Sequence, residues 1–265
     1  MSETPNHSES RPSTVAAFVG ATGGAGTTRT VVEVASALAA DGRTVAVLDA
    51  AFATQGLADY VDGRIDPDVT GLLTDAGGAD GTTSYPGLSA GLYEFDAGDV
   101  PGEVAVSPAY APFTRLAQAK STTAAERFES LAGTAAERFD CVLLDVPPIA
   151  TNQAVAAVTA AETVTIVAPA TTRGAAGIQR CHERLADVGS GASLVVSTRG
   201  GLETADMSVP STDADNVGSA PACLDGEAFG AAIERVAAAV TGRELREMQN
   251  DDGGVLGAVG EYVGR

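Results

Sequence analysis

The sequence predicts an α/β fold, a mostly parallel, twisted sheet with helices on both faces. Three observations lead there. Apolar runs of strand length alternate with segments of helical period along most of the chain, the order in which helices wrap a parallel sheet. The runs are short, β-branched and almost continuously apolar, as strands buried on both faces must be. A glycine-rich turn joins the first run to the first helical segment, where backbone N–H groups can be presented to a ligand.

Residues 1–14 are rich in Ser, Thr, Pro and Glu, lack periodicity and read as a disordered leader; the folded domain is expected over 15–242. Strands are expected at 15–19, 44–48, 141–144, 163–167 and 193–196. Helical spacing recurs at Val31, Val34, Ala35 and Leu38, at Ile178, Cys181, Leu185 and Val188, and at Phe229, Ile233, Val236 and Val240, so three helices are well supported. Residues 76–102 are Gly-rich and irregular, with a candidate strand at 92–95, and read as a loop-heavy insertion. A second polar stretch covers 200–221, and 243–265 reads as a flexible C-terminal tail.

Composition narrows the function classes. With 265 residues and 45% apolar content, the chain is globular and holds one sizeable core. Its 35 Asp and Glu against 16 Lys and Arg give a formal charge of −19, and Lys120 is the only lysine. A GC-rich genome accounts for Arg over Lys but not for the acid excess; a salt-in halophile accounts for both, because molar salt screens the self-repulsion of an acidic surface. The same charge argues against nucleic-acid partners, whose binding depends on basic patches and counterion release. No apolar run is long enough to span a membrane, and the N-terminus has no hydrophobic signal core, so a cytoplasmic protein is expected. Cys141, Cys181 and Cys223 are far apart and form no C-x-x-C, which leaves them as small buried apolar residues.

The most informative segment is Gly20-Ala21-Thr22-Gly23-Gly24-Ala25-Gly26-Thr27-Thr28-Arg29. Close-set glycines let N–H groups turn inward, and the N-terminus of the following helix adds partial positive charge, so Gly23, Gly24, Ala25, Gly26, Thr27, Thr28 and Arg29 form a candidate phosphate cradle. Thr28 stands where a P-loop hydroxyl reaches Mg²⁺. A strict G-x-x-x-x-G-K-[ST] pattern is not met: Ala21 takes the first glycine position and Thr27 the lysine position. The plain alternative for this segment alone is a tight strand-to-helix connection without a ligand.

Across residues 15–242 the chain resembles the MinD/ParA group of deviant P-loop ATPases, whose loop reads roughly K-G-G-x-G-K-T-T. Val45-Ala46-Val47-Leu48-Asp49 resembles the strand ending in the group's switch I acid, and Gln55-Gly56-Leu57-Ala58-Asp59-Tyr60 the helix after it. Asp140-Cys141-Val142-Leu143-Leu144-Asp145-Val146-Pro147-Pro148 is similar to the switch II strand and is the most specific match. Thr151-Asn152-Gln153-Ala154, Val167-Ala168-Pro169 and Arg173 follow in family order. The resemblance implies ATP and Mg²⁺ as cofactors, with Asp49 and Asp145 as catalytic acids and Thr28, Asp49 and Asp145 at the metal. It places the adenine pocket near Ser197 to Arg199 and near Val209 and Pro210. Asp49 and Asp145 each alone also read as strand-end turn residues; three elements in order make that the minor reading.

The departures bear on mechanism. Thr27 and Thr22 replace the group's P-loop and signature lysines, and Ala51 replaces its second, water-orienting acid. Phosphoryl transfer depends on positioning and on charge stabilisation, so hydrolysis is expected to be slow or absent while binding survives. Arg29 is the expected compensation, because a guanidinium can fork onto phosphate oxygens; otherwise it is an exposed cation placed unfavourably at a helix N-terminus. The loop also resembles that of the CpaE/TadZ branch, which tends to lose the P-loop lysine. Two functions compete: a nucleotide-responsive positioning or partitioning factor acting through protein partners and a homodimer, and a pseudo-ATPase scaffold that binds partners without nucleotide. An active enzyme of the superfamily is a third reading, opposed by the missing lysines. For the tail, Val255, Leu256, Val259 and Val263 share one helical face, but five nearby glycines weaken the helix and only Arg265 is basic, so a frayed or docked tail is favoured over membrane contact.

Overall fold

A computed structural model of the chain describes residues 13–75, 84–214, 216–225 and 228–245. The leader up to residue 12, the end of the tail and its Val255, Leu256, Val259 and Val263 lie outside the described residues. Strand β1 (Thr14–Gly20) runs into helix α1 (Thr27–Ala40). There follow β2 (Thr44–Asp49), α2 (Val69–Thr74), β3 (Tyr93–Phe95), β4 (Glu103–Ser107), α3 (Phe113–Gln118) and α4 (Thr122–Ala136). The second half comprises β5 (Cys141–Val146), α5 (Asn152–Ala160), β6 (Thr163–Pro169), α6 (Thr172–Asp187), β7 (Leu194–Thr198), β8 (Met207–Val209) and α7 (Ala228–Thr241).

The strands form one sheet in the order β3-β4-β2-β5-β1-β6-β7-β8. Every pair is parallel except β3 with β4. Alternate residues of β1 explain the continuous apolar run. Val15, Ala17 and Val19 pack with Phe128 of α4, Ala154 of α5 and Ile178 and Leu185 of α6. Ala16 and Phe18 face the other way, into a layer formed by Val31, Val34 and Leu38 of α1 and Ile233, Val236 and Val240 of α7. A strand flanked by helices on both sides has no polar face to show. Each fully buried Leu, Val or Phe in these layers contributes about 1.5–3 kcal/mol.

The five expected strands and three expected helices are present, and the candidate strand at 92–95 appears as β3. The described part of 76–102 is loop-rich, and directly after it comes a sheet strand the sequence did not predict, β4, which pairs with β2. The polar stretch 200–221 holds a further strand, β8, at the far edge. Helices α2 and α4 are set by their caps: Asp68 Oδ1 accepts from the Gly71 N–H at 3.0 Å, and Ser121 Oγ from the Ala124 N–H at 3.2 Å.

Candidate functional site

Parallel pairing places the carboxyl ends of β1, β2 and β5 side by side, with β5 between the other two. Asp49 and Asp145 are register partners on β2 and β5, and their side chains are 0% and 1% exposed respectively. The Thr28 hydroxyl, in the first turn of α1, donates to Asp145 Oδ2 at 2.6 Å. Asp49 is tied by backbone donors: Ala51 N–H to Oδ1 at 2.7 Å and Ala109 N–H to Oδ2 at 3.1 Å. Burial, then repulsion from Asp145, pushes the Asp49 carboxyl up to about 8. Burial likewise raises Asp145, to about 6, against the opposing Thr28 hydrogen bond. Two adjacent buried carboxylates held above their ordinary range are a pair that a cation relieves.

The donor set fits Mg²⁺. Thr28 Oγ1 and Asp145 are hard oxygen donors at the cavity wall, and Mg²⁺ takes one or two carboxylates and fills its remaining positions with phosphate oxygens and water. Asp49 is set deeper than the sequence suggests. It is not part of the cavity lining; both of its oxygens are engaged by backbone N–H groups, and it stands beside Asp145 on the neighbouring strand.

The cavity holds about 280 Å³ and is lined by Gly20, Thr22 through Arg29, Ala51, Thr54, Gly56 and Asp145 through Pro148. Gly24 and Gly26 sit at φ 72° and 85°, in the left-handed region open to glycine, and they fold the loop back on itself. Helix α1 begins with no side-chain cap and no acid in its first turn, leaving first-turn N–H groups and the positive end of the dipole for an anion. An adjoining cavity of about 270 Å³ contains Gly26, Arg29, Thr198, Arg199, Val209 and Pro210. Thus the loop, Arg29, Thr28 and Asp145 meet in one place, with Pro210 next door.

The vacant positions have definite occupants. The Thr27 hydroxyl folds back on the end of β1, where a Cβ added to Gly20 would meet it at 2.8 Å. Thr22 is 8% exposed and packs on α6, where a Cβ on Gly177 would lie 2.8 Å from the Ala21 carbonyl oxygen and from Thr22 Cγ2. Ala51 presents only a methyl group to the cavity. Arg29 leans along α1: its Nε pairs with Glu33 Oε1 at 2.6 Å and its Nη1 donates to the Asn216 carbonyl at 3.0 Å. Its Nη2 is buried without a hydrogen-bond partner.

Sequence reasoning missed Glu33, which is fully buried and also accepts from the N–H groups of Ala222 and Cys223. The signal was present as an acid four residues after Arg29, on the side of the helix away from Val31, Val34, Ala35 and Leu38. It also missed the segment after β4, whose Ala109 N–H holds Asp49 while Tyr110 and Phe113 stand 61% and 82% exposed. Among the described residues no helix is long and apolar enough to cross a membrane.

This architecture, with its loop and strand-end acids, is the P-loop NTPase fold in its MinD/ParA form. No protein-family model and no curated protein matches the chain; solved structures do. The cell division ATPase MinD of Pyrococcus furiosus superposes with a TM-score of 0.66 at 16% identity, covering 86% of this chain and 98% of that one. The septum site-determining protein MinD of Pyrococcus horikoshii, solved with Mg-ADP, gives 0.65 at 18% identity over 86% and 96%. Cobyrinic acid a,c-diamide synthase of Mycobacterium smegmatis gives 0.63 at 18% identity over 89% and 99%.

Proposed function

We propose that this chain is a degenerate MinD/ParA-type protein that binds ATP with Mg²⁺, hydrolyses it slowly or not at all, and acts as a nucleotide-responsive positioning or partitioning factor. The observation that carries the reading is the Thr28–Asp145 hydrogen bond at the mouth of the uncapped α1: a hydroxyl, a carboxylate and a phosphate-sized cavity converge where Mg-nucleotide chemistry needs them. Bound Mg²⁺ would neutralise phosphate charge. The chain's own contributions are to accept phosphate on loop and helix N–H groups, to hold the cation at Thr28 and Asp145, and to bring up the Arg29 guanidinium once it leaves or shares Glu33. Asp49, repelled by Asp145 while the site is empty, adds negative charge beside the cation once one is bound. Turnover is slow because Ala51 offers no group to orient water and neither threonine supplies a cation.

The missing loop lysines support a likeness to the CpaE/TadZ branch, and the acidic charge supports a salt-in halophile as the source. Its output is contact with protein partners, including a second copy, and Tyr110 and Phe113 provide an exposed apolar surface beside the site. The Arg29–Glu33 pair favours one alternative, a scaffold that has lost nucleotide, because it occupies the cation that lines the cradle itself. A thermal melt in molar KCl with Mg²⁺ separates the two. Ligand at about a hundred times its dissociation constant adds about 2.7 kcal/mol, so ATP or ADP should raise the midpoint. No rise at millimolar nucleotide would sink the switch and leave the scaffold.

A further inference from the structure

A lysine-free loop needs another way to keep its N–H groups facing a phosphate. The end of β7 supplies one. Thr198 Oγ1 donates to the Ala25 carbonyl at 2.7 Å, and Arg199 Nη2 donates to the Gly24 carbonyl at 2.7 Å. These are consecutive carbonyls of the glycine-rich loop, gripped by consecutive residues of one strand end. Because a trans peptide points its C=O and its N–H in opposite directions, fixing these carbonyls on the β7 side turns the N–H groups of Ala25 and Gly26 away from it. The Ala25 N–H is used within the loop, on the Thr22 carbonyl at 3.3 Å. The Gly26 N–H is the one left for the cradle.

The grip is built on strain and on a rigid base. Arg199 adopts φ 61°, a left-handed conformation unfavourable for a residue with a Cβ, and such outliers persist where the surroundings enforce them. The surroundings here are firm: Thr198 is register partner to Pro169 of β6, its carbonyl accepts from the Ala170 N–H at 2.9 Å, and the Ser197 hydroxyl donates to the Gly200 carbonyl at 2.6 Å. Gly200 follows at φ 132°, so both turn positions adopt backbone that suits glycine, yet position 199 carries an arginine. The arginine's position is explained by what its guanidinium reaches.

We propose that Thr198 and Arg199 are positioning residues that clamp the glycine-rich loop in its phosphate-binding conformation, doing from β7 part of what a loop lysine does from within. The proposal rests on the nucleotide reading above. It predicts that preorganisation, rather than a cation within the loop, sustains affinity.

The test uses the full chain in molar KCl with Mg²⁺ and three variants, Arg199→Gly, Arg199→Lys and Thr198→Val. Arg199→Gly removes the side chain and the strain together, so the unliganded melting midpoint should hold or rise. Its ATP and ADP affinity, measured by titration calorimetry, should fall by about tenfold or more. Hydrogen exchange at Gly23 through Thr28 should quicken in the absence of nucleotide. Arg199→Lys, which keeps a donor, should retain most of the affinity, and Thr198→Val should resemble Arg199→Gly. Because Thr198 and Arg199 also line the adjoining cavity, the loop decides: unchanged loop exchange in both Arg199→Gly and Thr198→Val would overturn the clamp whatever their affinity, while leaving the nucleotide reading intact. A wild-type protein that binds no nucleotide would overturn that reading, and the clamp's role in phosphate binding with it.

Discussion

Removing the Glu33 carboxylate should unfold a large part of the protein's stability margin. The side chain is 0% exposed. It accepts from Arg29 Nε at 2.6 Å, from the Ala222 N–H at 3.0 Å and from the Cys223 N–H at 2.8 Å. Glu33→Ala leaves two buried N–H groups without an acceptor, at about 1–3 kcal/mol each, and a guanidinium without its counter-ion. Breaking a buried ion pair by deleting one partner costs about 3–5 kcal/mol. Arg29 retains 19% side-chain exposure, so it can turn toward water and recover part of that loss. These terms overlap, and we expect about 4 kcal/mol for Glu33→Ala and about half of that for Glu33→Gln, which keeps one acceptor oxygen but turns an amide donor toward other donors. Against a usual margin of about 5–15 kcal/mol this is decisive. The assay is urea unfolding followed by circular dichroism in molar KCl, where a buried pair is little screened. A loss below about 1 kcal/mol at an unchanged m-value would refute the argument that Glu33 ties α1 to the segment before α7.

Three further outcomes follow from the geometry. Asp49 and Asp145 carry raised values of about 8 and about 6, so the folded state keeps protons that the unfolded chain releases near pH 4; their contribution makes stability fall as pH rises from about 4 to about 8. Melts between pH 5 and 8 in EDTA should show that slope, and Asp145→Asn should lessen it but leave the part that burial of Asp49 causes; a midpoint that climbs with pH in EDTA would contradict it. Gly177→Val drives a branched side chain into the Ala21 carbonyl and Thr22, where a Cβ alone already comes to 2.8 Å, and should cost about 1–3 kcal/mol in urea unfolding; an unchanged midpoint would show that α6 does not press on the loop. The three thiols are buried, and burial raises each of them, Cys181 to about 11; a thiol reagent at neutral pH should therefore label all three only after denaturation, and rapid labelling of native protein would refute their placement.

What could be read from the sequence was whatever repeats a period or completes a motif. Strands β1, β2, β5, β6 and β7 are legible because both faces are buried and most of their positions are apolar. Strand β4 is half as long on its apolar side, Val104 and Val106, and its neighbours are glycine and proline, so it blends into the loop before it. Helix α4 buries Ala124, Phe128, Ala132 and Ala135 at helical spacing, but alanine is so common in this chain that the stripe does not stand out. At the site, the order of loop and strand-end acids was visible, whereas the depth of Asp49 was not, since it depends on Ala109 sixty residues away. The Arg29–Glu33 pair lay in plain view as a four-residue spacing, but its burial comes from Ala222 and Cys223, which only the fold brings to α1.

The sheet ends on both sides in a strand of three residues, β3 at one margin and β8 at the other. A margin that short offers few unpaired backbone groups on which another chain could extend the sheet. In the molar salt proposed above as its medium, where charge repulsion between acidic molecules is screened to a few ångströms, this would matter more than in dilute solution. Colloidal protection by net charge is largely spent there, and the small size of the open margins becomes a separate safeguard against sheet-to-sheet aggregation at high protein concentration.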